Sequence, residues 1–225
     1  MVRLSQADAR ALAVAVLVRH GMPVAHAEDV AAHLVDAMVT GHAFAGLPRV
    51  PAIVAELVQK GPGGPIRVTR QTPVSATIDG GDVNGYVVSL VAADKAIEIA
   101  NASGIAVVGA CNTWFSGRLA YYVERIARAG FVAMHTANTT ARVAPFGGAE
   151  RILGTNPMAF AFPCGAEPVI LDIGTSGVTW GEALLRQATG RPQRCTQALT
   201  SVVLPKPLEA EMRVNFPHNP AVNRW

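Results

Sequence analysis

Residues 1–61 place apolar and polar positions at a helical period, in three blocks divided by glycine and proline. The block "LSQADARALAVAVLVRHG" opens with Ser5 as an N-cap and Asp8 three positions on, a capping-box variant. Leu12 and Val16 carry its apolar pattern, and Gly21 is a natural stop. The block "MPVAHAEDVAAHLVDAMVTG" starts at Pro23 and has Val30, Leu34 and Met38 as its stripe. "PAIVAELVQKG" is a third, shorter helix that stops at Gly61. Together they predict a helical N-terminal subdomain over residues 1–61. The joint between the second and third blocks reads "VTGHAFAGLPRVP". It is either a tight interhelical turn or a binding site built on that turn.

The pattern then changes. "GPGGPIRVTRQTPVSATIDGGDVNG" is turn-rich and alternates at Ile66–Val68 and Val74–Ala76–Ile78, which predicts a hairpin or two strands. "VVSLVAADKAIEIANASG" reads as a helix ending at Gly104, and "IAVVGAC" as a fully buried strand. "RLAYYVERIARAG" is an amphipathic helix and "FVAMHTAN" a second buried strand, a strand–helix–strand unit of crossover length. "MAFAFP" and "PVILDIG" add two strands, and "VTWGEALLRQATG" another helix. These elements predict an α/β domain over residues 62–190, a mixed sheet with flanking helices. Residues 191–225 have five prolines and no sustained period, and predict an irregular or disordered tail. Only a short strand, "TSVVL", and a brief helix, "LEAEM", are visible in it.

Half of the 225 residues are apolar, enough for one sizeable core, yet no stretch has the length of a membrane span. The chain starts "MVRLSQADARALAV" with no leader pattern, so a cytoplasmic protein is expected. The net charge of +3 comes from scattered cations, without the cluster that nucleic-acid binding requires, but it suits a small anionic ligand. Cys111, Cys164 and Cys195 are odd in number and far apart, and are expected to be free thiols. His20, His26 and His33 are expected to be exposed or partly packed helix residues, with no metal site.

No G-x-G-x-x-G follows a strand and no P-loop motif occurs, so the ordinary Rossmann fold is not expected. "GTSGV" misses the G-x-S-x-G nucleophile elbow at its last position and reads as a strand-to-helix turn. Four segments do combine polar residues with glycine or proline at element ends: "TGHAFAGLPRVP", "ACNTWFSGRLAYY", "VAPFGGAERILGTNPMAFAFP" and "VILDIGTS". In that order, behind a helical N-terminus, they resemble the malate/L-lactate dehydrogenase-like oxidoreductases, the NAD(P)-dependent family that lacks an ordinary Rossmann fold. The resemblance covers about residues 1–187, and "GTNP" and "LDIGTS" are its most specific parts.

The resemblance implies hydride transfer between NAD or NADP and a small 2-keto or 2-hydroxy acid, or a cyclic imine acid, in a homodimer. It places Gly41, Gly46, Arg49 and Pro51 in a G-x-x-S-H-G-x-x-R-x-P frame, with Arg49 holding the substrate carboxylate. The family's Ser-His pair is replaced by Phe44–Ala45, and His42 is either a turn residue or a catalyst. Thr113 stands where the resemblance puts the proton-transferring histidine. A threonine hydroxyl can hydrogen-bond a carbonyl, but its pKa is too high for acid–base work near neutrality. Tyr121 and Tyr122 are the substitutes in reach, or else aromatic core. Cofactor contacts are implied at Thr139, Thr155, Asn156, Asp172, Ile173 and Gly174. The family's later G-G-H-K-G-like segment has no counterpart here, so a truncated, inactive member is the alternative expectation.

Overall fold

The computed structural model describes residues 4–145, 150–176, 179, 186, 190 and 200–203. Its elements are α1 (Gln6–Arg19), α2 (Val24–Val39), α3 (Val50–Lys60), β1 (Arg67–Thr72), β2 (Ser75–Asn84), α4 (Gly85–Ser103), β3 (Val107–Trp114), α5 (Ala120–Arg128), β4 (Ala133–Thr136), β5 (Met158–Phe162), β6 (Val169–Ile173) and β7 (Thr200–Val203). They form an α/β fold with two small sheets, ordered β1-β2-β3 and β4-β5-β6-β7.

The three N-terminal helices form where the apolar period puts them. Ser5 caps α1, taking the Asp8 N–H at 3.1 Å while its hydroxyl donates to the Asp8 carboxylate at 2.6 Å. The buried stripe of α1 is Ala9, Ala13 and Leu17, not the expected Leu12 and Val16. Leu12 is about half exposed, because the small alanines let α2 approach on the adjacent face. In α2, Val30 and Leu34 are buried as expected, while Met38 is 40% exposed at the helix end. His33 is also buried, contrary to expectation.

The hairpin is β1 and β2, antiparallel around Pro73 and Val74. β2 then runs on to Asn84, with its register to β3 shifting between Asp79 and Val83. Asn84 caps α4 by accepting the Tyr86 N–H at 3.0 Å, and Gly104 ends the helix in the left-handed region (φ +80°). The parallel crossover is therefore β2–α4–β3. The expected β3–α5–β4 crossover is corrected, because β3 and β4 lie in different sheets.

Neither β3 nor β4 is a buried strand. Val107 and Met134 are each more than half exposed. β3 ends the first sheet and β4 ends the second, and an apolar run by itself does not separate a central strand from an edge strand. The strand expected at "TSVVL" is present as β7, antiparallel to β6. The helices expected over "VTWGEALLRQATG" and "LEAEM" lie, apart from Thr179, Arg186 and Gly190, outside the described residues.

Two apolar cores result. One packs Leu17, Val30, Leu34 and Ile53 of α1–α3 against Ile78, Tyr86 and Val88 of β2 and α4. The other packs Leu119, Tyr122 and Val123 around α5 against Ala159, Ala161 and Ile170 of β5 and β6. α4 contributes Val88 to the first core and Leu90 to the second, so one helix joins them.

Candidate active site

The turn after α2 begins with Gly41 at φ +86°, and its His42 N–H returns to the Ala37 carbonyl at 2.8 Å. Two 3-10 turns follow, Ala43–Ala45 and Leu47–Arg49. Gly46 between them has no room for a side chain, since a Cβ there would stand 2.5 Å from the Met38 sulfur and 3.0 Å from the Leu34 carbonyl oxygen. This close approach aims Arg49 at α4 and at the loop after β3. Its guanidinium lies 4.9 Å from the centre of the Phe115 ring, and its charge acts on the buried Tyr86 hydroxyl. Burial raises the Tyr86 hydroxyl above its usual range and keeps it neutral.

Within the second of the four segments, "ACNTWFSGRLAYY", Phe115 is the residue that meets Arg49. Thr113 donates its hydroxyl proton to the Val83 carbonyl oxygen at 2.8 Å. His42 is half-buried with its ring across Phe44. Burial lowers its pKa, the nearby Arg118 lowers it further, and Asp36 opposes both. The imidazole is therefore neutral at physiological pH.

Sequence reasoning missed the polar group beside it. Arg118, a buried residue, pairs with Asp36 of α2. Its backbone N–H donates to His33 Nε2 at 3.0 Å. His33 is fully buried among Tyr86, Tyr121 and Tyr122, and burial with the Arg118 charge pushes its pKa down to about 3. The signal was present, because His33 and Asp36 are three apart on α2 and so share one face. Of the two tyrosines weighed as proton donors, Tyr122 is core. It is fully buried, its hydroxyl donates to the Ser116 carbonyl at 2.5 Å, and its pKa lies well above the usual range.

The expected cofactor residues converge from three segments. The loop between β4 and β5 folds back on itself through the Val143–Leu153 bridge, which sets Thr139 opposite Thr155. The Thr155 N–H donates to Thr139 Oγ1 at 2.7 Å. Gly154 is required there, because a Cβ would overlap the Thr139 hydroxyl. The Thr175 N–H then donates to the Thr155 carbonyl at 2.9 Å, which brings in the end of β6 and Gly174. Asn156 adopts φ +40°, a conformation asparagine tolerates. Thr139, Asn156 and Thr175 are exposed, so hydroxyl, amide and backbone groups line an open polar shelf. That donor and acceptor set fits the ribose and amide groups of a nicotinamide dinucleotide.

Asp172 and Ile173 precede the shelf on β6. Ile173 is half-buried opposite Met158. Asp172 Oδ2 accepts the Ala120 N–H at 2.8 Å, so this carboxylate caps α5 from another strand. Burial raises its pKa, while the Ala120 and Leu119 N–H groups and Arg118 pull it back. The sequence Asp36, Arg118, α5 N-terminus, Asp172 thus connects the Arg49 turn to the threonine shelf.

Comparison with known proteins identifies the family. A malate/L-lactate dehydrogenase family model matches residues 4–200, some way past residue 187. Malate dehydrogenase of Pyrococcus abyssi is 35% identical over 183 residues, 80% of this chain and 51% of that protein. Ureidoglycolate dehydrogenase (NAD(+)) of Escherichia coli is 36% identical over 172 residues, 75% of this chain and 49% of that protein. The structure of malate dehydrogenase from Pyrococcus horikoshii superposes with a TM-score of 0.76 at 36% identity, covering 80% of this chain and 53% of that one. The chain spans about half the length of the curated relatives it matches. With motifs, fold and these similarities in agreement, the chain belongs to the malate/L-lactate dehydrogenase family.

Proposed function

We propose that this chain binds NAD or NADP together with a small carboxylate substrate, and serves hydride transfer between the cofactor and a 2-keto or 2-hydroxy acid or a cyclic imine acid. The observation that carries this reading is Arg49, whose guanidinium is held against Phe115 and Tyr86 on a turn built for it. The naming of relatives as malate and ureidoglycolate dehydrogenases supports the substrate class.

Arg49 holds the substrate carboxylate through charge-assisted bonds. Phe115 covers the guanidinium and keeps water from that contact. The bound nicotinamide supplies or takes the hydride. Thr139, Thr155, Asn156, Ile173 and Gly174 hold it, and Asp172 orients the adjoining helix end. Thr113 is not the proton carrier, because its hydroxyl proton is engaged by Val83. His42, neutral in its half-buried setting, takes the proton released on oxidation of a hydroxyl. A cytoplasmic homodimer is part of this reading. The outer face of β4–β6 is open to such a contact, with Met134, Phe162 and Val169 exposed on it. Among the described residues no helix is long and apolar enough to cross a membrane.

The second reading is a family member that binds nicotinamide without turnover, and the Thr113–Val83 bond is the observation in its favour. Assays of NADH and NADPH consumption with a panel of 2-keto acids separate the two. Turnover that disappears in Arg49→Ala and His42→Ala supports the first reading. Saturable nicotinamide binding with no turnover supports the second.

A further inference from the structure

We infer that Arg118 is a positioning residue: its pair with Asp36 and its backbone bond to His33 clamp the 115–119 turn onto α2, fixing Phe115 over Arg49 and the start of α5 on Asp172. For its effect on the cofactor, the inference rests on the function proposed above.

Energetics argue that the pair is not there for stability alone. The Arg118 side chain is only 5% exposed, and its Nε is buried with no hydrogen-bond partner among the described residues. Removing a guanidinium from water costs several kcal/mol, and an apolar side chain of similar volume generally packs there at least as well. A buried cation with one direct ion-pair partner, Asp36, and an orphaned donor is expensive, so it calls for a role in geometry.

That geometry is on both sides of the residue. Arg118 grips α2 twice, once by side chain and once by backbone, through two residues on the same helical face. Before it, Gly117 (φ +71°) lies so close to Tyr86 and His33 that a Cβ would overlap both. Phe115 holds φ +50°, a conformation costly for an aromatic residue that persists only where its surroundings enforce it. After it, the Leu119 and Ala120 N–H groups point at Asp172. Releasing Arg118 would free the turn between Arg49 and the cofactor shelf.

The test compares the parent chain with Arg118→Met, Arg118→Lys and Asp36→Asn. Amide hydrogen exchange without ligand is expected to rise about tenfold or more over residues 115–122 in Arg118→Met and Asp36→Asn, with α1 amides unchanged. Unchanged exchange over that turn overturns the clamp, whether or not nucleotide binds. NADH titrations well below each variant's Tm are expected to give a Kd raised about tenfold or more in Arg118→Met, with partial recovery in Arg118→Lys. A purely structural role would lower Tm and leave the Kd of the folded protein unchanged, and that result overturns the positioning role. A parent chain that binds neither NADH nor NADPH overturns the proposed function and the cofactor half of this inference, while exchange still decides the clamp. If Arg118→Met does not fold, Asp36→Asn and Arg118→Lys carry both readouts.

Discussion

Arg49 places a full positive charge beside two aromatic rings, and that setting determines what its loss should do. In the proposed function, the guanidinium meets a substrate carboxylate with Phe115 and Tyr86 already in place, so little reorganisation is needed. Arg49→Ala is expected to weaken binding of any active acid substrate by roughly 2–4 kcal/mol, read as a raised KM in steady-state assays. An unchanged kcat/KM would remove Arg49 from the site. The buried histidines make a second prediction. His33 and His135 hold pKa values of about 3 and about 4, and His42 is also lowered. Unfolded histidines bind protons below their usual value near 6.5. The unfolded state therefore takes up more protons in this window, and stability is lost as pH falls from 6.5 toward about 4. Asp172 and Asp29, whose carboxyls are raised by burial, run the opposite way. His33→Gln, whose amide oxygen can still accept the Arg118 N–H, should flatten the loss by up to about 1.4 kcal/mol per pH unit. Urea denaturation midpoints at several pH values measure it, and an equally steep profile in the variant would refute the buried neutral imidazole. At this scale Arg49, Thr139 and Thr155 were legible because each sits in a recognisable segment. The Asp36–Arg118 pair was not, because 82 residues separate its members and no spacing rule joins them.

Among the elements, the helices were the most legible and the strands the least. Capping by Ser5 and the stops at Gly21, Gly61 and Gly104 are local chemistry, readable within a turn or two. The partition of strands between two sheets is set by distant contacts, and so β3 and β4 read alike although they never pair. The same distinction governs two glycines near β3. Gly117→Ala forces a methyl group into Tyr86 and His33 at positive φ, and should cost roughly 1–3 kcal/mol or more. Gly109→Ala meets nothing within 4 Å and should be near neutral. Chemical denaturation of the two variants in parallel checks this. Equal effects would contradict the close packing of the 115–119 turn.

At the level of the whole molecule, the Arg49 turn and the threonine shelf belong to different cores, joined by α4 and by the Asp36–Arg118–Asp172 row. The fold class and family were legible because motif order survives even where single residues have changed. What the substituted positions do was not, since "NTW" stands where the resemblance expects a histidine and a threonine hydroxyl does not supply an imidazole's acid–base chemistry. The central claim is that this chain, although it spans only about half of its relatives' length, holds a nicotinamide dinucleotide on the Thr139–Thr155–Gly174 shelf. The most direct measurement is an equilibrium titration of the 225-residue chain with NADH and with NADPH, followed by nicotinamide fluorescence. A saturable change with at least one of them, weakened by Thr155→Val, is the expected result. No change with either up to millimolar concentration would contradict the account.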